Sequence, residues 1–237
     1  MSEERLPFLS HLEELRKRLI RCFIVVGVLF FALYPLSSTI FEWLTSPLRQ
    51  VLPEGQTLIF TGIVEGFLTH FKVGFYTAFL IAIPYLLFEI WRFVVPGLYD
   101  QEKKYAILFV GSTLILFTTG ALFGFFVILP VVLPFFINDF SSEWIRPLPS
   151  IQQYLSFTIL MMLASGLSFE LPVFLVLLNK VGVISRETLV KKRGYAIIII
   201  AIVAAIITPP DVISMMCIMI PMILLYELSV LIMRFLR

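Results

Sequence analysis

The sequence predicts an all-α membrane protein with six transmembrane helices and both termini in the cytoplasm. Three observations predict it. The 237 residues are 59% hydrophobic and only 14% charged, with mean hydropathy +0.99, whereas a soluble domain is roughly half apolar and a quarter charged. The apolar residues come in continuous runs, not in the ~10-residue alternating pieces of a membrane β-barrel, and the runs suit the ~20 residues that cross a ~30 Å hydrocarbon core as helix. The basic residues are sorted by connection. Arg5, Arg16, Lys17, Arg18, Arg21, Arg92, Lys103, Lys104, Lys180, Arg186, Lys191, Lys192, Arg193, Arg234 and Arg237 fall on one face if the spans alternate, leaving Arg49, Lys72 and Arg146. The positive-inside bias makes that face cytoplasmic.

The chain reads as a single membrane domain over 1–237. Span one, roughly 19–40, follows a basic cluster and has no small-residue cleavage site after it, so it reads as a retained span. A cytoplasmic amphipathic helix over roughly 10–18 precedes it. Ser10 and Glu13 fit a capping box, and Phe8, Leu12, Leu15 and Leu19 form an apolar stripe. Glu13/Lys17 and Glu14/Arg18 are i,i+4 pairs. This helix is predicted to lie on the membrane surface before turning into span one. Span two covers roughly 70–95. Span three, roughly 105–134, comes from 34 residues without charge between Lys104 and Asp139, and Pro130 and Pro134 should bend its far end. Span four, roughly 153–180, is interrupted by Glu170. Span five, roughly 194–208, ends in the turn Thr208-Pro209-Pro210-Asp211, and span six covers roughly 212–234. Spans five and six are both predicted to be short, thinning the bilayer or recruiting neighbours.

Soluble catalytic chemistry has no foothold here. There is no G-x-x-x-x-G-K-[ST], H-E-x-x-H, G-x-S-x-G or paired-Cys motif. His11 and His70 are far apart, Cys22 and Cys217 lie in apolar runs, and every Asp sits in a connection. We therefore expect no catalytic residue, metal or cofactor, and nothing suggests nucleic-acid binding. Glu170 is the outstanding intramembrane charge, a costly placement of ~2.5–3.5 kcal/mol on insertion scales for Asp at a helix centre. Pro172 also removes the backbone bond to the Ser168 carbonyl. Glu170 could accept an internal hydrogen bond from a hydroxyl, or line a polar concavity for a partner helix. As the coupling acid of a proton- or ion-coupled small-solute transporter it would carry the rival function, although the internal repeats of many such transporters are not visible. Glu89 and Glu227, nearer span ends, are expected to snorkel.

Six stretches, in order along the chain, carry a resemblance. They are His11-Leu12-Glu13-Glu14-Leu15-Arg16-Lys17-Arg18; Ser46-Pro47-Leu48; Trp91-Arg92-Phe93-Val94-Val95-Pro96-Gly97-Leu98-Tyr99 with Glu102-Lys103-Lys104; Ser168-Phe169-Glu170-Leu171-Pro172-Val173; Lys191-Lys192-Arg193; and Thr208-Pro209-Pro210-Asp211-Val212. Together they resemble the TatC family, the polytopic receptor subunit of the twin-arginine protein translocase, over nearly the whole chain. The resemblance implies a multi-pass protein of a prokaryotic inner membrane that binds the twin-arginine signal peptides of folded cargo. It implies that the protein nucleates the export complex, with the proton-motive force as energy source. Glu14 and Glu102 match the family's acidic receptor positions, with Glu13, Phe93 and Pro96 beside them. Two carboxylates suit two guanidinium groups, whose planar fork of donors fits a carboxylate. The local alternative for Glu14 is an ion pair with Arg18 alone. Pro47 matches a structural loop position. Spans five and six, with Thr208, Asp211, Ser214 and Met215, resemble the region where the small single-span subunits TatA and TatB dock, Glu170 stays a partner-helix or polar-concavity position, and self-association is implied in the complex. Met215 stands where some members carry Gln and cannot offer the same hydrogen bonds, a place Thr208 or Ser214 would have to fill.

Overall fold

The computed structural model describes residues 5–53, 55–94, 103–139 and 148–235. Among them, five helical stretches are long and apolar enough to cross a membrane: Glu13–Arg49, Glu65–Ile90, Phe109–Asn138, Ile151–Lys180 and Val212–Phe235. A shorter apolar helix spans Arg193–Ile207.

Helix α1 (Arg5–Leu33) runs without interruption. The predicted surface helix and the predicted first span are therefore one rod, and Ser10 and Glu13 lie inside it, not at its start. Nothing between them and the span forces a turn: the next proline after them is Pro35, in the 3-10 turn Tyr34–Leu36 that ends the rod. The chain continues through α2 (Ser37–Leu44) and α3 (Ser46–Arg49). The predicted first span thus bends near residue 34, where it was expected to continue to 40. Pro47 opens α3 and is buried.

Helix α4 (Glu65–Val94) packs along α1 in the opposite direction. Phe30 and Phe71 meet edge-on at 5.0 Å near one end, and Arg18 reaches Glu89 at the other. The long third run is helical through α5 (Lys103–Phe123), a π-helical turn at Gly124–Ile128, α6 (Leu129–Pro134) and a second π-helical turn at Phe135–Asp139. Pro130 opens α6 and Pro134 closes it. The π turns absorb the backbone bonds that the two prolines cannot make.

The fourth run divides at Glu170, between α7 (Ile151–Phe169) and α8 (Leu171–Lys180), with Pro172 in the first turn of α8. Helices α5 and α7 touch at backbone distance. A Cβ on Gly120 would stand 2.7 Å from the Ser165 carbonyl oxygen, and one on Gly166 would stand 2.7 Å from the Phe117 ring. After α9 (Arg186–Lys191) come α10 (Arg193–Ile207) and α11 (Val212–Phe235). At 1.5 Å per residue the 15 residues of α10 span about 22 Å. The 24 residues of α11 span about 36 Å, so the sixth helix is not short. The uncharged count stopped at Glu227, but the helix carries Glu227 and Arg234 within it, Glu227 paired to Arg193 at 2.9 Å.

The core is continuous from Leu48 and Val73 through Phe125, Leu129 and Val132 to Leu155, Met161, Ile218 and Met222. Apolar side chains that stay exposed, such as Phe23, Val28 and Phe31 on α1 and Ile198, Ile202 and Ile206 on α10, are those a hydrocarbon solvent would cover. At the end of the bundle formed by α2, α3 and the start of α4, polar bonds tie the connections down. Ile59 bridges Ser150 in parallel, and the Tyr154 hydroxyl donates to the Leu44 carbonyl at 2.6 Å. Glu65, at the head of α4 and 6% exposed, accepts from the backbone N–H of Thr61, Gly62 (3.0 Å) and Gln152 (3.2 Å) and from the hydroxyls of Thr61 (2.8 Å) and Ser150 (3.1 Å).

Candidate functional site

At the opposite end, α1 and α4 bring an arginine between two carboxylates. Residues 14 and 18 are one turn apart on α1, and residues 85 and 89 are one turn apart on α4, so each pair shares a helix face. Arg18 donates through Nε (3.1 Å) and Nη2 to Glu14 Oε1, and through Nη1 to Glu89 Oε2 at 2.8 Å. Nη2 also reaches the Arg92 carbonyl at 3.3 Å, in the last turn of α4. Cationic groups are favoured at that position by the helix dipole. The Tyr85 hydroxyl donates to the other Glu89 oxygen at 2.9 Å.

The two acids are not equivalent. The Glu89 side chain is 4% exposed, that of Arg18 is 11% exposed, and that of Glu14 is 44% exposed. Glu89 therefore does not snorkel to a polar surface as its position near a span end suggested. It is buried because α1 supplies its counter-charge, and a buried carboxylate without such a partner would be costly. Sequence reasoning missed this pairing, since residues 18 and 89 meet only once the two helices pack. Glu14 faces outward, and Glu13 beside it is exposed. Phe93 is a backbone position in the last turn of α4, and Pro96 and Glu102 lie outside the described residues. The structure thus brings together Glu14 and the end of the helix from which the segment holding Pro96 and Glu102 departs.

The second group of predicted residues lies elsewhere. Glu170 is half-buried at the α7–α8 break. Its carboxyl lies against Thr113 and the backbone of Phe117 in α5, while Oε1 is buried with no hydrogen-bond partner among the described residues. Asp211 caps α11: its Oδ1 accepts from the Ser214 N–H at 2.6 Å, the bond expected of an N-cap aspartate. The Thr208 hydroxyl donates to the Ala204 carbonyl at 2.8 Å. Thr208 (6% exposed) and Ser214 (0%) are both buried within the chain, so neither presents a surface hydroxyl beside Met215. Next to half-buried Met215, an apolar cleft of about 290 Å³ opens between α11 and the α5–α6 junction, lined by Phe123, Val131, Val212, Met216 and Ile220.

Comparison with known proteins bears on the whole of this arrangement. The family model described as Sec-independent protein translocase protein (TatC) matches residues 10–221. A Sec-independent protein translocase protein TatC from Desulforapulum autotrophicum is 44% identical over 228 residues, covering 96% of this chain and 84% of that protein. The one from Escherichia coli K12 is 37% identical over 233 residues, covering 98% and 90%. A crystal structure of the twin arginine translocase receptor TatC superposes with TM-score 0.80 at 35% identity, covering 95% of this chain and 98% of that one. These matches run along almost the full length of both partners, and the chain belongs to the TatC family of Sec-independent protein translocase proteins.

Proposed function

We propose that this multi-pass membrane protein works as the receptor subunit of a twin-arginine translocase, with Glu14 and Glu102 receiving the two arginines of a cargo signal peptide. It is a transport component and not an enzyme, and family membership sets aside the small-solute transporter. The carrying observation is the Arg18 fork. The outward-facing Glu14 carboxylate already holds a guanidinium, with two donors converging on its Oε1, so it is placed to accept the charge-assisted bonds of a signal arginine. Glu102 lies eight residues beyond the end of α4, and Arg18 links Glu14 to that end through the Arg92 carbonyl.

In this reading the site faces the cytoplasm of a prokaryotic cell across its inner membrane, with both termini on that side. The basic connections support that orientation. Glu13, Phe93 and Pro96 frame the peptide. The cleft beside Met216 and the unpartnered oxygen of Glu170 support docking of the single-span subunits, and of further copies of the chain, on the other helices.

The test is peptide binding to the purified full-length chain. Glu14→Gln and Glu102→Gln keep side-chain size and remove the anion. Each should weaken a twin-Arg peptide by about 5–30-fold, on the order of 1–2 kcal/mol, below the ~2–5 kcal/mol of truncating one partner of a fully desolvated charge pair. Neither should much affect a twin-Lys peptide, which cannot form the bidentate contact. Equal losses for both peptides would refute the assignment.

A further inference from the structure

Arg18 occupies the place that cargo must take. It donates twice to Glu14 Oε1, and it does so from the same polypeptide, so it is always present at high local concentration. A signal arginine that is to engage both oxygens of Glu14 therefore exchanges with a guanidinium already seated on Oε1. Arg18 has somewhere else to go. Its Nη1 is bonded at 2.8 Å to Glu89, a buried carboxylate further fixed by Tyr85, and Nη2 is within reach of the Arg92 carbonyl. It can release Glu14 without becoming an unpaired buried charge.

Resting on the receptor reading above, we propose that Arg18 is a resident competitor that sets the arginine selectivity of the site, and that Glu89 is the positioning residue that holds Arg18 when cargo displaces it. The selectivity follows from what each cation can replace. Arginine offers the same planar fork that it displaces, so the exchange conserves the hydrogen bonds to Glu14. Lysine offers a point charge on a flexible stem and cannot restore both donors. A bare carboxylate would take either cation with modest preference. A carboxylate already held by arginine penalises lysine twice, through the bonds that are broken and the bonds that are not remade. Specificity is a difference of affinities, and an interaction that the wrong partner cannot repay raises it.

Three forms of the full-length chain test this against twin-Arg and twin-Lys peptides. Arg18→Gln alone would leave Glu89 buried and unpaired, so the charge-neutral pair Arg18→Gln/Glu89→Gln is used to remove the competitor and its anchor together. It should bind both peptides more tightly than the unmodified chain, twin-Lys more so, and the twin-Arg to twin-Lys ratio should fall by about three- to tenfold, the scale of a partly exposed charge pair. Glu89→Gln alone should act in the opposite direction. Arg18, deprived of its second carboxylate, clings to Glu14, and the twin-Arg peptide should weaken by about three- to tenfold while the twin-Lys peptide changes little. Thermal unfolding of each variant in detergent accompanies the binding measurement. If the double variant keeps the native selectivity ratio, or if both variants shift binding in the same direction, Arg18 and Glu89 are only a helix-to-helix tie and this inference fails. The receptor reading fails separately: it falls if the unmodified chain shows no preference for twin-Arg, or if Glu14→Gln leaves that preference intact.

Discussion

Gly120 gives the sharpest prediction about the scaffold, because its surroundings fix both sign and size. In Gly120→Ala the new methyl carbon would sit 2.7 Å from the Ser165 carbonyl oxygen and 2.8 Å from Cβ and Cγ of Phe169, where ordinary contact begins at 3.4 Å. The nearest atom is backbone within α7, so no rotamer change relieves it, and α5 and α7 must part by several tenths of an ångström. Overpacking of this kind costs about 1–3 kcal/mol. Alanine also gains about 1 kcal/mol over glycine in a helix interior, which would blur a single measurement. Gly111 removes the ambiguity. It lies on the same helix with nothing within 4 Å of its missing Cβ, so Gly111→Ala carries the propensity gain without the clash. The difference between the two variants is the packing cost alone, and at about 2–4 °C per kcal/mol for a chain of this size it amounts to roughly 2–12 °C in Tm. Thermal unfolding in detergent, followed by the fraction remaining monodisperse, reads it. Phe169 precedes Glu170, so export of a twin-arginine cargo in cells should also fall for Gly120→Ala and not for Gly111→Ala. Equal Tm values for the two variants would refute the close-approach argument.

Three further outcomes are expected. Gln101→Cys and Thr188→Cys should each react with an impermeant thiol reagent only from the cytoplasmic side, and labelling of either from outside intact cells would overturn the orientation. Glu65→Gln places an amide N–H₂ against at least one of the donors that the carboxylate now accepts, so it should lower Tm and speed proteolysis of the segment before α4; a Tm unchanged within error would count against the capping role. Glu170→Ala should weaken co-purification of the single-span subunits while leaving twin-Arg peptide binding intact, and normal recovery of those subunits would remove Glu170 from the docking surface.

Much of the scaffold could be read from the chain because its causes are local. Hydrocarbon length sets the apolar runs, Pro172 after Glu170 divides the fourth run, and Pro209-Pro210 separates α10 from α11. Glu14 was legible as an acid on a helix face, and its pairing with Arg18 as an i,i+4 possibility. The misreadings share a different origin. The stripe Phe8, Leu12, Leu15, Leu19 was taken to end in a turn because amphipathic and fully apolar stretches usually have different surroundings, yet no proline or glycine lies between them and the helix continues. Counting uncharged residues shortened the sixth helix, because Glu227 is neutralised by Arg193, 34 positions away. Nothing in the sequence singled out Glu65, and Glu89 looked like a span-end carboxylate. Their partners Ser150 and Arg18 lie 85 and 71 positions away, and no period of 3.6 residues reports contacts at such separations.

The two ends of the bundle are held by different kinds of bond, and the difference fits the proposed work. At the Glu65 end, one buried carboxylate gathers backbone and hydroxyl donors from two connections, and the Tyr154 hydroxyl closes on the Leu44 carbonyl. Backbone donors have no side-chain freedom, and each would be left unpaired if Glu65 moved, so this end resists rearrangement. At the Arg18 end the ties run from side chain to side chain, and several of the partners are partly exposed. Glu14 is 44% exposed, and the Arg193–Glu227 pair has side chains 50% and 43% exposed. Pairs of that kind are worth about 0–1 kcal/mol, so a cation arriving from solution can replace an internal partner at little net cost. A receptor for a pair of arginines needs that exchange to be cheap at one end and the helices that carry it to stay fixed at the other. Glu89 lies where the requirements meet: it is buried enough to hold α1 against α4, and close enough to Glu14 to keep Arg18 paired while the exchange takes place.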